Sequence, residues 1–404
     1  MYILVVNAGS SSVKYQLFDM TRKQLLARGQ CERIGIDGRI KHTPTDQESY
    51  VANIPMHTHT EAIQAMIAAL TDKDHGVIRD MHQIDAIGHR IVHGGPYFLE
   101  STLVTDEVLR QLDLCVELAP LHIPAHLMGI RGCMEAMPGT PQVVVFDTAY
   151  HQTMPREAYF YPIPYELYEK YKIRRYGFHG TSHRYVSAQA IDLLEIALGI
   201  RREDSKVVTC HLGNGSSITA VKGGLSVDTS MGFTPLEGLI MGTRTGSIDP
   251  AIIPFLMEKE NISANDMGAW MNKNCGIEGV SQVSSDMREI DAAIAQGNDK
   301  AKLAHDILCY QIKKYIGSYA AAMGGLDAVV FTAGIGENND SVRSDSLRGL
   351  EFLGIICDER RNRGLHAEKP TLISTSESKV RVWVIPTNEE LVIASDTMRI
   401  VGKL

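Results

Sequence analysis

No stretch of this chain is long and apolar enough to cross a bilayer. The N-terminus has no basic region, and its apolar run from Ile3 to Val6 is too short for a secretory signal, so a cytoplasmic location is expected. Positive charge is not in excess: 40 Lys and Arg stand against 48 Asp and Glu, a formal net charge of -8. That argues against a general nucleic-acid binder but leaves room for local basic pockets. The seven cysteines (Cys31, Cys115, Cys133, Cys210, Cys275, Cys309 and Cys357) are odd in number and contain no Cys-x-x-Cys. They read as reduced, mostly structural thiols.

What is present describes an ordinary globular chain, 44% hydrophobic and 22% charged. Its 404 residues exceed what one core usually supports, so two domains are expected. Apolar strand-like runs (Ile84 to Ile87, Val143 to Phe146, Lys206 to Cys210, Ala328 to Thr332, Val380 to Ile385) alternate with helical periods, which indicates an α/β fold. Helical spacing runs from Ser187 to Leu198 and from Ala301 to Met323. In the second, Leu303, Ile307 and Tyr310 form one stripe and Leu308, Ile312 and Ile316 another. Near the end, Pro386 stops a strand, and Thr387 with Glu390 reads as a capping box. The helix it opens carries an apolar face of Leu391, Ala394, Met398 and Val401. The expected division is 1–148 plus 390–404 as one lobe, with the last helix returning to it, and 149–389 as the other.

Two segments say the same thing half a chain apart. NAGSSSVKYQLFD from Asn7 and GNGSSITAVKGG from Gly213 each join an apolar strand, a small-residue turn and an alternating strand. Ala8-Gly9-Ser10-Ser11 aligns on Asn214-Gly215-Ser216-Ser217. Glycine and small hydroxyl residues let backbone amides converge on an anion, so the pair reads as a duplicated phosphate-binding hairpin holding a nucleotide between two similar lobes. Either copy alone reads as a plain hairpin. Beyond the first turn Val13, Tyr15 and Leu17 alternate with Lys14 and Gln16, which leaves Lys14 near the turn.

Charged residues at strand ends add to this. Gln142 to Phe146 is a buried-strand pattern ending in Asp147, and the carboxyl edge of such strands is where ligands sit in open α/β sheets. Arg90 follows the strand Ala86-Ile87 and precedes Gly94-Gly95, and Arg244 is flanked by Gly242 and Gly246. Nearby glycine suits close approach of an anion to a guanidinium fork. Three His-x-x-x-His pairs, His89/His93, His122/His126 and His179/His183, have the spacing of many zinc sites. Pro124 and Gly180 interrupt two of them, and none carries the glutamate of His-Glu-x-x-His. Hydrogen-bonded loop histidines are the better reading.

Nine ordered motifs span the chain: NAGSSSVKYQ, GHRIVHGG, APLHIPAH, FDTAYHQTMP, YGFHGTSHRYV, CHLGNGSSITAV, SMGFTPLEGLIMGTRTGSIDP, FTAGIGENN and IPTNEELVIA. Together they resemble the acetate kinase (acetokinase) family, in the superfamily of acetate and sugar kinases, heat-shock chaperone ATPases and actin. The resemblance implies a two-lobed, duplicated ribonuclease H-like fold of the actin-like ATPase type, with the active site in the interlobe cleft. It implies a homodimer that transfers the γ-phosphoryl group of ATP to acetate, with Mg²⁺ (or Mn²⁺) as cofactor, giving acetyl phosphate and ADP. It implies metal organisation by Asn7 and Glu389, and phosphates near Ser10, Ser12 and Lys14. The nucleotide would be held by His211, Leu212, Gly213, Asn214 and Gly215, by Asp286, Met287 and Arg288, and by Gly334, Ile335, Gly336, Glu337 and Asn338. Arg90 and Arg244 would grip the carboxylate and the travelling phosphoryl group, His179 would stabilise the transition state, and Asp147 would be the catalytic carboxylate. His122 would sit near the same centre, and Val92, Leu121, Phe178 and Pro235 around the acyl methyl. Valine at 92 argues for acetate over propionate or butyrate. A propionate kinase is the near alternative. A sugar kinase would want a base facing a hydroxyl and a polar pocket. A zinc hydrolase on the histidine pairs and a nucleotide-driven chaperone or filament protein are the distant ones. No nucleic-acid or membrane partner is expected.

Overall fold

The structure, a computed structural model, describes residues 1–403. Fourteen strands are found among them: β1 Tyr2–Ala8, β2 Ser12–Asp19, β3 Gln24–Glu32, β4 Arg39–Pro44, β5 Tyr50–Ala52, β6 Ala86–Ile91, β7 Thr102–Leu103, β8 Gln142–Phe146, β9 Lys206–Leu212, β10 Ser216–Lys222, β11 Leu225–Thr229, β12 Ala328–Thr332, β13 Thr371–Leu372 and β14 Arg381–Val384. The chain separates into two compact units, Met1–Tyr150 with the segment from Asn388 on, and His151–Thr387.

The first unit is built on one sheet of order β5-β4-β3-β2-β1-β6-β8-β7, and the second on a sheet of order β11-β10-β9-β12-β14-β13. In the first, β1, β2 and β3 are antiparallel neighbours and β1, β6 and β8 run parallel. In the second, β9, β10 and β11 repeat the antiparallel meander and β9, β12 and β14 the parallel set. The same five-strand topology therefore occurs twice, as the duplicated hairpins imply.

Among the parallel strands, β8 and β12 are nearly continuous apolar runs because both faces are covered. Val143, Val144, Val145 and Phe146 are all buried, and so are Val329, Val330 and Phe331. On one face of the first sheet, Ile3, Val5, Val143 and Val145 pack with Ile393 and Ala394 of the helix Glu389–Val401. Gly88 on β6 allows that approach: a Cβ there would stand 2.5 Å from Thr397 Oγ1 and 2.7 Å from Ile393 Cγ2. On the other face, Gly129 of the helix Ile123–Ala136 sits where a Cβ would come within 2.5 Å of Ala8 Cβ.

Several local expectations need correction. The last helix is capped by Asn388, which accepts from Leu391 N, and not by Thr387. The Thr387 hydroxyl instead meets Ser182 Oγ, and its N–H donates to Glu337 Oε1. The expected apolar face holds, since Leu391, Met398 and Val401 are half-buried and pack with Ala394 against the same cluster, and Ile393, Asp396 and Thr397 are buried beside them. The helix expected from Ser187 begins at Gly180, and that expected from Ala301 begins at Asp299. In the latter, Leu308, Ile312 and Ile316 are buried but Leu303 and Tyr310 are exposed, so only one of the two stripes faces the core.

Candidate active site

The two hairpins differ in detail. In the first, Ala8 pairs with Val13 across the turn, and Gly9 N donates to Ser12 O. In the second, Leu212 pairs with Ser216 across Gly213–Gly215. Strand pairing thus equates Ala8 with Leu212, not with Asn214, and the structural counterpart of Asn7 is His211.

In the first unit the C-terminal ends of β6 and β8 bring Arg90 and Asp147 together. Arg90 lies within β6 rather than after it, opposite Val145 of β8. Its guanidinium donates to Asp147 through Nε at 3.1 Å and Nη2 at 2.7 Å, a two-point fork. Asp147 is 1% exposed, and its N–H is held by Ile91 O at 2.9 Å. Glu389, at the first turn of the last helix, adds a second carboxylate 3.8 Å from Arg90 Nε. The Asp147 charge beside it raises the pKa of Arg90. Burial, with Asp147 and Glu390 nearby, pushes Glu389 up to about 7 despite Arg90. The two crowded carboxylates are hard oxygen donors of the kind Mg²⁺ takes, and the Asn7 amide on β1 is a third donor of the same class that would suit that ion. Asn7 pairs with Lys14 across β1 and β2, and both line a cavity of about 300 Å³ in this unit. Ser10 and Ser12 do not line it.

His126, singled out by sequence only as half of a His-x-x-x-His pair, is hydrogen-bonded as expected, but from the helix Ile123–Ala136 and not from a loop. Its Nε2 accepts from Val92 N at 3.3 Å and its Nδ1 reaches Ala8 O at 2.9 Å, so it bolts the end of β1 to the segment after β6. Nε2 as acceptor assigns the proton to Nδ1. Burial pushes its pKa down to about 3. Its neighbour His122 starts the same helix and is exposed. His89 is buried against Gln142 Oε1 at 2.6 Å. None of the His-x-x-x-His pairs belongs to a cluster of three or more metal donors among the described residues.

In the second unit, His179 occupies the left-handed region (φ 56°) as the cap of the helix Gly180–Leu198. Such a backbone is strained for a non-glycine residue. A relay of hydrogen bonds holds it: Thr209 Oγ1 to His183 Nδ1 at 2.7 Å, His183 Nε2 to Ser217 Oγ at 2.7 Å, and Ser217 Oγ to His179 Nδ1 at 2.8 Å. Its ring stacks on His211 at 4.1 Å. Gly215 lies against it, and a Cβ there would sit 3.4 Å from His179 Nε2 and 3.6 Å from Arg244 Nη1. Arg244 donates to Pro235 O at 2.9 Å and has no carboxylate partner among the described residues. Burial lowers its pKa with no opposing charge to offset the effect. Its loop is fixed from behind, where Ile277 N donates to Met241 O and Cys275 N to Thr243 O.

A cavity of about 680 Å³ in the same unit is lined by Gly213 and Asn214, by Asp286, Met287 and Arg288, and by Gly334, Ile335 and Asn338, together with Ser285, Asp291, Asn339, Asp340 and His366. Three segments far apart in sequence thus meet at one volume. His211, Leu212, Gly215, Gly336 and Glu337 do not line it. Leu212 is a core side chain. The Glu337 carboxylate is engaged by Ala333 N at 2.8 Å and Thr387 N at 3.1 Å, so it holds the turn rather than a ligand. Of the apolar residues expected around an acyl group, Val92 and Leu121 belong to the first unit and Phe178 and Pro235 to the second. Phe178 is buried, Val92 and Pro235 are half-buried, and Leu121 is 79% exposed.

The buried imidazoles set a pH limit on stability. Burial lowers His89 and His151 to about 4, below an unfolded value near ~6.5. The unfolded chain then binds more protons, so this stability is complete above ~6.5 and is lost as pH falls towards 4. At pH ~5 each should cost about 2 kcal/mol. The melting temperature should therefore fall markedly between pH 7.5 and 5; a flat profile over that range would contradict the burial argument.

The duplicated sheets, with a cation and carboxylates paired at one strand edge, are those of the actin-like ATPase fold, and the chain is a phosphotransferase of that class. The Acetokinase family pattern matches residues 2–395, and the chain belongs to that family. It is 56% identical over 403 residues to an acetate kinase of Caldanaerobacter subterraneus subsp. tengcongensis, covering 99% of both chains. Among solved structures it is similar to Porphyromonas gingivalis acetate kinase (TM-score 0.95, 47% identity, 99% of both chains). It also resembles a propionate kinase from Francisella tularensis (TM-score 0.90, 41% identity, 98% of this chain and 99% of that one).

Proposed function

We infer that this chain catalyses the reversible, Mg²⁺-dependent transfer of the γ-phosphoryl group of ATP to acetate, giving acetyl phosphate and ADP by direct in-line transfer. The observation that carries the reading is Arg244, a half-buried guanidinium without a carboxylate partner among the described residues, set beside His179 at a glycine turn. Such a cation is ready for an anion that arrives with the substrate.

Acetate is ionised at neutral pH, so the acceptor hardly needs a general base, and the obstacle is repulsion between anions. Arg244 and His179 supply positive charge and hydrogen bonds to the equatorial phosphoryl oxygens, the main requirement of this transfer. Arg90 holds the acceptor carboxylate. Asn7, Asp147 and Glu389 would hold Mg²⁺, which when bound neutralises phosphate charge. The 680 Å³ cavity is of nucleotide size. Gly213, Asn214 and Gly334 let backbone approach the phosphates, and Asp286 to Arg288 flank the nucleoside.

A hydroxamate assay of acyl phosphate formed from ATP and Mg²⁺, run with acetate, propionate and butyrate, tests the reading. Activity falling from acetate to butyrate supports it, and no acyl phosphate from any acid with folded protein sinks it. The propionate alternative rests on the size of the acyl pocket, where one methylene is worth about 1–3 kcal/mol. Val92→Ala should raise propionate turnover relative to acetate; an unchanged ratio would remove Val92 from the specificity argument.

The protein is further proposed to be a homodimer, joined through the second unit, and to reside in the cytoplasm. The seven free cysteines suit a reducing compartment.

A further inference from the structure

The helix Asp299–Met323 carries His305 and Cys309 one turn apart, so both side chains leave the same face. The helix Asp340–Leu347 brings Asp345 to that face. Asp345 Oδ2 lies 3.0 Å from His305 Nε2, and Cys309 Sγ lies 3.4 Å from the same nitrogen. The three donor atoms all fall within 4.8 Å of one another. His305 and Cys309 are buried, while the Asp345 side chain keeps 28% exposure and leaves a path from solvent. Arg348 occupies the other oxygen, Oδ1, at 2.8 Å, which leaves Oδ2 to face the cluster.

This is not a nucleophile relay. In a Cys-His-Asp relay the carboxylate orients one ring nitrogen so that the other can serve the thiol. Here carboxylate and thiol meet at the same nitrogen, and the buried Nδ1 has no partner. Burial also pushes the thiol up to about 12, far from a reactive thiolate. A hydrogen-bonded cluster accounts for the contacts poorly as well. Nε2 carries at most one proton, which can satisfy Asp345 or Cys309 but not both. Beyond Nε2, the thiol has Val342 O at 3.8 Å and the Ser346 hydroxyl beside it.

A single cation would satisfy all three donors. With metal–nitrogen and metal–oxygen distances of about 2.0 Å and metal–sulfur of about 2.3 Å, neighbouring vertices of a tetrahedron stand roughly 3.3–3.6 Å apart. The two separations from Nε2, 3.0 Å to Asp345 Oδ2 and 3.4 Å to Cys309 Sγ, lie within a few tenths of an ångström of those edges, and the third lies within 4.8 Å. The donor set is one thiol, one imidazole and one carboxylate oxygen, which selects zinc-like ions over the hard cations suited to Asn7, Asp147 and Glu389.

We propose that His305, Cys309 and Asp345 form a binding site for a thiophilic divalent cation of the zinc type, with its fourth position open to solvent beside Asp345. Binding replaces the S–H bond of Cys309 by a sulfur–metal bond and releases one proton to solvent. The ion ties the helix Asp340–Leu347 to the helix Asp299–Met323. Because Asn339 and Asp340 line the 680 Å³ cavity, it braces one rim of that cavity.

The test is a Co²⁺ titration of the reduced, full-length protein in excess Mg²⁺, read by the thiolate-to-cobalt charge-transfer absorption that an all-oxygen site cannot give. The expected result is saturation at one Co²⁺ per chain, displacement by Zn²⁺, loss of the band in Cys309→Ala, and its survival in Cys275→Ala and Cys357→Ala. His305→Gln and Asp345→Asn, checked for folding by circular dichroism, should each weaken binding at least tenfold, and they keep the test open if Cys309→Ala fails to fold. Absence of the band in the unmodified protein, or a band unaffected by Cys309→Ala or by both other substitutions, overturns the proposal.

Discussion

Arg244→Ala should lower turnover in acetyl phosphate synthesis by about 10²- to 10³-fold, with a much smaller change in KM for acetate. The reasoning starts from burial. Placing a guanidinium in a half-buried loop without a carboxylate is unfavourable, and the fall in its pKa reflects that. The surrounding backbone fixes the loop in spite of this cost: Gly276 adopts φ +67° and packs where a Cβ would meet Met241 O at 2.2 Å. A group held in advance against its own solvation is most valuable when charge develops, because nothing must reorganise at that moment. Arg244→Lys should recover little, since an ammonium cannot reproduce the planar fork. Steady-state kinetics decide the matter. A raised KM with unchanged kcat would assign Arg244 to ground-state binding and end the transition-state role.

Asp147→Asn should also reduce kcat by about 10²-fold or more, while leaving the acidic limb of the pH–rate profile in place. The carboxylate is buried and committed to Arg90 at 2.7 and 3.1 Å, so its accessible task is to organise positive charge. Asparagine keeps the shape and removes the charge. Glu389, which Asp147 helps to raise to about 7, should then titrate lower. A general base would behave differently, because its loss would abolish the limb that its protonation creates. Disappearance of that limb in Asp147→Asn would therefore restore the base assignment. Asparagine is preferable to alanine here, since removing the whole side chain would strip Arg90 of its main partner and confuse stability with catalysis.

The parts of the fold that sequence made legible were those in which local pattern and tertiary burial agree. The runs Val143 to Phe146 and Ala328 to Thr332 are buried on every residue and apolar on all but Thr332, because both sheet faces are covered, and they fall on β8 and β12. β6 was harder. Gly88, His89 and Arg90 break the apolar run, so Arg90 was expected beyond the strand. The strand continues because Gly88 admits a helix, and His89 is satisfied by Gln142 from the neighbouring strand. Gly180, Thr181, Ser182 and His183 hid the first turn of their helix for a similar reason: all four are buried without being apolar, and Ser182 and His183 are satisfied by partners elsewhere, Thr387 and His211 for the one and Thr209 and Ser217 for the other. At the last helix, Thr387 and Asn388 are both able to cap. The choice was made by Glu337 and Ser182, which engage Thr387 and leave Asn388 to the helix. Glu337 itself shows the limit of a motif, which locates a turn but not the direction in which each side chain points. Spacing drew attention to His126 but could not show what it does, because its partners, Ala8 O and Val92 N, are main-chain atoms brought to it only by folding.

The last helix also bears on how the protein is made. The strands of the first unit are synthesised early, but the helix Glu389–Val401 that covers Ile3, Val5, Val143 and Val145 follows only after the whole of the second unit has left the ribosome. The unit begun first is therefore completed last. Until then one apolar face of its sheet stands open to solvent, the kind of surface that invites chaperone capture or self-association in a growing chain.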